Sequence, residues 1–224
     1  MKLFHSPSSP FVRKVMACAI LRGLEGRLEL VPTNAHASPE TLLAANPLSK
    51  VPSLLTDDGQ AIYDSPVICE YLDGLGEAAP LFPAAGPARL AALVRQALAD
   101  GMMDAAVARR MSDGLPQDEG RQAFGARQKA AVARSLAELE RDPPKGLADI
   151  GAVATACALG YLDFRFAQEP WRDAHPRLAA WHAEVAAAPA IARTAPPRPR
   201  VDGGRVDGDW ADGGRLMSPR GAAG

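Results

Sequence analysis

Asn46-Pro47-Leu48-Ser49-Lys50-Val51-Pro52-Ser53-Leu54-Leu55 is the stretch on which the fold turns. Its second proline stands at the mouth of a strand, where a missing N–H removes no interior ladder bond. Downstream, Ser53–Leu55 and Ala61–Tyr63 flank Thr56-Asp57-Asp58-Gly59-Gln60, and an Asp-Gly pair between two short apolar runs is a strong hairpin signal. Upstream, Pro39–Ala45 reads as a short helix and Arg27–Val31 alternates like a strand. Pro10–Gly23 carries Phe11, Val15 and Cys18 at helical spacing and stops at a glycine. Lys2–His5 reads as a strand and Pro66–Leu75 as a closing helix. The order β-α-β-α-β-β-α combines a parallel opening with an antiparallel hairpin. It predicts a small mixed sheet packed by helices.

The rest of the chain is different. Residues 1–80 hold nine alanines and residues 81–200 hold thirty-two, so the second stretch is expected to be all helix. Pro80, Pro83 and Pro87 interrupt any helix between the halves and mark 77–87 as a linker. The units are therefore 1–76, the linker 77–87, a helical domain 88–195 and a tail 196–224. Leu90, Leu93, Val94, Ala97, Leu98 and Met102 start a long amphipathic helix running to about Met111. Further helices are expected over Asp118–Arg141, Leu147–Ala167 and Pro176–Ala188. The tail, with its prolines and repeated Asp-Gly-Gly-Arg, buries too little apolar surface to order itself.

Composition narrows the function. A formal net charge of −1 over 224 residues argues against nucleic acid as the main partner. No run of about 18 apolar residues spans a membrane, and the N-terminus lacks the apolar run of a signal peptide. A cytoplasmic address is expected. Cys18, Cys69 and Cys157 are far apart, with no metal-ligand spacing, and read as small buried hydrophobes.

The chemistry gathers at two helix starts. Ser9-Pro10 places Ser at an N-cap and Pro at the first helical position, which turns unpaired N–H groups and the positive dipole end toward a ligand. Asp64-Ser65-Pro66 repeats the arrangement, with Ser65 expected as the cap. Two anion-receptive starts suit a ligand with two negative groups.

Ser-Pro-Phe-Val, then Asn-Pro-x-x-Lys-Val-Pro, then an acid followed by Ser, in this order and spacing, resembles the glutathione S-transferase superfamily. The form at Ser9 is closest to its serine-type, tau- or theta-like members of bacterial style. The resemblance spans about 1–195. It implies an α/β thioredoxin-like domain followed by an all-α helical domain, and a cis Val51–Pro52 bond. It further implies a cytoplasmic, homodimeric detoxifying transferase that uses glutathione as co-substrate, with no metal or bound cofactor, and joins it to a small hydrophobic electrophile. Carried over by residue, Ser9 would bond the glutathione sulfur and Val51 would pair its backbone with the cysteinyl unit. Asp64 would take the α-amino group, Ser65 the γ-glutamyl carboxylate, and Lys50 the glycine carboxylate. Ser8 and Ser6 are the other hydroxyls near the thiol.

The sequence departs from the family's pattern in three places. Gly146-Leu147-Ala148-Asp149 has Gly where the second-domain helix usually opens with Ser or Thr. Asn34, His36 and Ser38 stand where tau-type members carry a Lys. Asp64 is one methylene shorter than the usual Glu. Phe11, Met103, Ala106, Arg110 and Met111 are candidates for the electrophile end, although Met at helical spacing is more often core. Two other classes of function remain. A glutathione-dependent disulfide reductase or peroxidase is disfavoured by Ser rather than Cys at position 9. A non-catalytic binding protein of the same fold would need none of Ser9, Lys50, Val51, Asp64 and Ser65.

Overall fold

A computed structural model describes residues 1–197. The expectation about the tail therefore lies outside the described residues, save at 196 and 197.

The first domain runs β1 (Lys2–His5), α1 (Pro10–Leu21), β2 (Glu29–Pro32), α2 (Glu40–Ala45), β3 (Ser53–Leu55), β4 (Ala61–Ile62) and α3 (Ser65–Leu75). The sheet order is β2-β1-β3-β4, with β1 parallel to β2 and antiparallel to β3. Because side chains alternate along β1, Leu3 and Phe4 leave by opposite faces. Leu3 joins Val15, Cys18, Leu54, Ile68 and Leu72 beneath α1 and α3. Phe4 packs with Leu42 and Ala45 beneath α2. The second strand begins two residues later than its alternation predicts, because Glu25–Arg27 is wound into a 3-10 turn.

The second domain contains α4 (Gly86–Asp113), α5 (Glu119–Arg141), α6 (Ile150–Arg165), α7 (Pro176–Ala186) and the short α8 (Pro189–Ala192). The helix α6 is buried on nearly every side from Ile150 to Leu162, and its alanines let neighbours approach closely. A Cβ added at Gly151 would stand 2.7 Å from the Ala92 carbonyl oxygen, so α4 and α6 meet backbone to backbone there.

The structure moves several helix boundaries. The helix α4 starts at Gly86, inside the segment read as a linker, because Pro87 falls in the first turn, where no N–H is needed. Leu90 and Val94 point outward, 64% and 59% exposed, while Ala92, Gln96, Ala99, Met102 and Met103 form the buried face. The helix α6 starts at Ile150 rather than Leu147, since Asp149 is itself the N-cap and its Oδ1 accepts the Ala152 N–H at 2.9 Å. Gly146 lies in the preceding turn at φ +53° and is not the cap. The helix α8, absent from the sequence reading, packs on α1, and Arg13 donates to the Ile191 carbonyl at 3.1 Å.

A buried ion pair fixes the connection between the domains. Arg22, at the end of α1, places Nε 2.9 Å from Asp73 Oδ1, and both side chains are under a tenth exposed. The same carboxylate accepts the N–H groups of Leu81 (2.8 Å) and Phe82 (3.1 Å), whose side chains are buried. Gly76 is required beside this pair, because a Cβ there would lie 2.6 Å from Arg22 Cβ.

Cys18, Cys69 and Cys157 are free and fully buried, and burial pushes the Cys157 thiol up to about 11. No helix among the described residues is long and apolar enough to cross a membrane.

Candidate functional site

A cavity of about 1190 Å³ opens between the two domains. Ser9, Lys50, Val51, Asp64 and Ser65, separated by up to 56 positions in sequence, all stand on its wall. The β1–α1 loop supplies Ser6, Ser8 and Ser9, the 46–52 loop supplies Lys50 and Val51, and the start of α3 supplies Asp64 and Ser65.

Ser9 is half-buried and caps α1, with its Oγ accepting the Val12 N–H at 3.3 Å. A hydroxyl has one hydrogen to donate and two lone pairs, so this cap leaves the Ser9 proton for another partner. The Oγ atoms of Ser6 and Ser8 are 3.3 Å apart and share a hydrogen bond. At the second start the cap is Asp64 rather than Ser65. Asp64 keeps extended backbone, and α3 begins with Ser65, which is 2% exposed. The Asp64 side chain makes no capping bond and is exposed at the cavity wall.

Asn46 shapes the loop that carries Lys50. Its side chain, 1% exposed, donates to the Lys50 carbonyl at 2.9 Å and accepts the Leu48 N–H at 3.0 Å. Ser49, at φ +51°, is held by a bond from its Oγ to the Ala35 carbonyl at 3.0 Å. Val51 lies ahead of β3 and takes no part in its ladder, and the Val51–Pro52 and Tyr63–Asp64 peptides are cis.

The opposite wall holds Asp100 and Asp104, and behind it lies Lys14; the sequence reading singled out none of the three. Lys14 on α1 is fully buried, and its Nζ lies 2.6 and 2.7 Å from the two carboxylate oxygens of Asp100 on α4. Asp100 and Asp104 both line the cavity. Burial raises the Asp100 carboxyl above its ordinary range, with the Lys14 charge opposing and the charges of Asp104 and Asp64 adding to the rise. Burial also raises Asp104, the Asp64 charge adds to the rise, and Lys50 opposes it. The available sequence signals were a lysine inside the apolar run of α1 and two aspartates spaced i, i+4 on one helix face.

Of the candidates for the electrophile end, two are core residues. Met103 and Ala106 are each 1% exposed and belong to the core beneath α4. Phe11, Arg110 and Met111 do line the cavity, joined by Phe124, Tyr161 and Arg165. His36 also reaches the wall, in the segment where tau-type members carry a Lys.

Known proteins fit this geometry. Residues 8–75 match the model of the glutathione S-transferase N-terminal domain, and residues 104–184 match that of the C-terminal domain. A protein of Escherichia coli (strain K12), described as the uncharacterized GST-like protein YibF, is 32% identical over 203 residues, covering 88% of this chain and 100% of its own length. The chain belongs to the glutathione S-transferase family. Among solved glutathione transferase structures, a family member from Pseudomonas fluorescens Pf-5 with bound glutathione is 41% identical. It superposes with a TM-score of 0.80 over 88% of this chain and 98% of that one. A second structure from that organism, with bound S-(propanoic acid)-glutathione, is also 41% identical, with a TM-score of 0.78 over 88% of this chain and all of that one.

Proposed function

We propose that this glutathione S-transferase joins the glutathione thiolate to a small hydrophobic electrophile, and that it is a serine-type enzyme acting through Ser9. The observation that carries this reading is the Ser9 hydroxyl at the start of α1, half-buried on the same cavity wall as Lys50, Val51, Asp64 and Ser65. Lys50 and the start of α3 at Ser65 supply positive potential for the two carboxylates of glutathione. Asp64 supplies a carboxylate for its α-amino group, and Val51 a backbone amide and carbonyl outside the β3 ladder. The glutathione bound in the Pseudomonas fluorescens relative supports the same ligand here.

Acidity sets the mechanism. A thiol with a pKa near 8.5 is about 3% thiolate at pH 7. A hydroxyl donor at a helix N-terminus favours S⁻ over SH, and a fall of about two units makes the thiolate the major form. The thiolate then attacks an electrophilic carbon lodged between Phe11 and the helices of the second domain. None of Cys18, Cys69 and Cys157 lines this cavity, which disfavours a cysteine-based disulfide reductase.

Calorimetric titration tests the reading. Glutathione is expected to bind near-stoichiometrically per subunit and to raise the melting temperature by linkage. Absence of binding at millimolar ligand overturns it and leaves a scaffold of the same fold.

The homodimer is part of the same proposal. Leu90 and Val94, one turn apart on α4, and Val67 on α3 are each more than half exposed, and the Arg89–Glu70 ion pair ties the two helices beside them. Light scattering at micromolar concentration is expected to give twice the chain mass of 23.5 kDa, and a monomeric mass removes the dimer from the proposal. A cytoplasmic address belongs to this reading as well, and fractionation of the source cells tests it.

A further inference from the structure

We infer that the Arg13 guanidinium, set in a niche behind the start of α1, is a fixed positive charge that favours the thiolate form of glutathione beside Ser9. The inference rests on the transferase reading and deepens it by one positioning residue.

Arg13 and Lys14 are consecutive cations on α1, and the fold treats them differently. Lys14 is neutralised by both carboxylate oxygens of Asp100. Arg13 has no carboxylate partner among the described residues. Its Nη2 donates to the Ile191 carbonyl at 3.1 Å, and its Nε is buried with no hydrogen-bond partner there. A guanidinium stays protonated in proteins. Arg13 therefore carries a full charge, partly desolvated and not cancelled by contact, and such a charge acts beyond its own neighbours.

The niche lies against α6. A Cβ added at Gly160 would overlap Arg13 Nη1 and stand 3.1 Å from its Cζ, so the guanidinium fills space that the glycine leaves open. Arg13 and Cys157, the latter nearly a turn before Gly160, line a small pocket with Ser8, Ser9 and Pro10. Its volume of about 10 Å³ is that of one water at most, so these groups face one another at close range. Cα–Cβ bonds on a helix tilt toward its N-terminus, so Arg13 leans toward the turn that Ser9 caps. The Arg13 N–H also bonds the Ser9 carbonyl at 3.1 Å. Arg13 does not line the large cavity, and it reaches a sulfur at Ser9 through its field rather than by contact.

The same field already acts on a thiol of this protein. Burial pushes Cys157 up, and the Arg13 charge, followed by that of Lys14, opposes the rise. A sulfur on the open side of Ser9 meets that charge with less burial to overcome. The other groups around Arg13 are Asp100 on α4, Cys69 on α3, Tyr161 on α6 and His182 on α7, whose protonated form Arg13 disfavours. The short α8 presents the Ile191 carbonyl.

Titration of bound glutathione tests the inference, with the ultraviolet absorbance of the thiolate followed against pH in the full chain. In Arg13→Met the thiol should titrate about one pH unit higher than in the native protein, the low end of what a nearby opposite charge does. A thiol at about 6.5 is roughly three-quarters thiolate at pH 7, and one at about 7.5 roughly one quarter. Conjugation at pH 7 should therefore fall about threefold and recover at higher pH. KM for glutathione should hold, since its carboxylates are assigned to Lys50 and Ser65. Arg13→Lys should restore most of the native titration. Gly160→Ala keeps the arginine but expels its flexible end from the niche, so it should raise the titration in a folded protein. If Arg13→Met does not fold, Gly160→Ala decides. A thiol that titrates alike in the native protein and in these variants, with only the melting temperature lowered, overturns the inference and leaves Arg13 as a tie to α8. Equal rises in Arg13→Met and Arg13→Lys overturn charge as the cause. Failure of the native protein to bind glutathione overturns the transferase reading and this inference with it.

Discussion

Replacing Ser9 with alanine is expected to lower conjugation at pH 7 by about 10- to 150-fold. In the proposed mechanism the hydroxyl donates one hydrogen bond to a charged sulfur, worth roughly 1.5–3 kcal/mol, and each 1.36 kcal/mol is tenfold in rate. Glutathione affinity should change little, because its carboxylates are assigned to Lys50 and to Ser65 at the start of α3. The bound thiol should titrate higher in the variant, so the loss should shrink as the pH approaches the ordinary thiol value near 8.5. The same substitution removes the N-cap bond to Val12, which costs about 0.5–2 kcal/mol of stability. Ser9→Thr separates the two effects, since it keeps both the cap and the donor. Conjugation that survives in Ser9→Ala would reduce Ser9 to a cap and move the thiol contact to Ser8 or Ser6, whose hydroxyls stand on the same wall.

Asp73→Ala should cost stability rather than chemistry, and by more than any surface change. The substitution strands the Arg22 guanidinium in a site where both partners are under a tenth exposed. It also removes the acceptor for the Leu81 and Phe82 N–H groups. Breaking a buried pair by removing one partner costs about 3–5 kcal/mol. For a chain of this size that is a fall in melting temperature of about 6–20 °C. Asp73→Asn, which retains an acceptor but not the charge, should fall between. A loss under about 1 kcal/mol in denaturant titration would mean that the connection between the domains is held elsewhere.

The two variants probe different kinds of information. Ser9 is visible in sequence as an N-cap, and only the order of the motifs after it points it toward a ligand; in the fold it stands on the cavity wall. Asp73 looks like any solvated aspartate near the end of a helix. Nothing local marks it, since Arg22 lies 51 positions away and the linker amides arrive only when the chain folds back. Lys14 and Asp100 are hidden in the same way, 86 positions apart. Met103 is the opposite case: helical spacing left it between cavity wall and core, with core favoured, and only the packing of α4 decides that it is core.

What the sequence determined by itself is what short-range physics governs. Prolines at the first turn, an Asp-Gly hairpin turn and alanine density set the element types and their order, and the motif spacing picked out residues of the first domain that line the cavity. Element ends shifted wherever a cap outranked the periodic pattern, as Asp149 did for α6. Tertiary structure alone decided which face of α4 is buried, which aspartates are pushed upward in pKa by burial, and which arginines border the far end of the cavity. Those depend on which surfaces meet, and the free energy of a buried charge is a property of its neighbours in space rather than of its position in the chain.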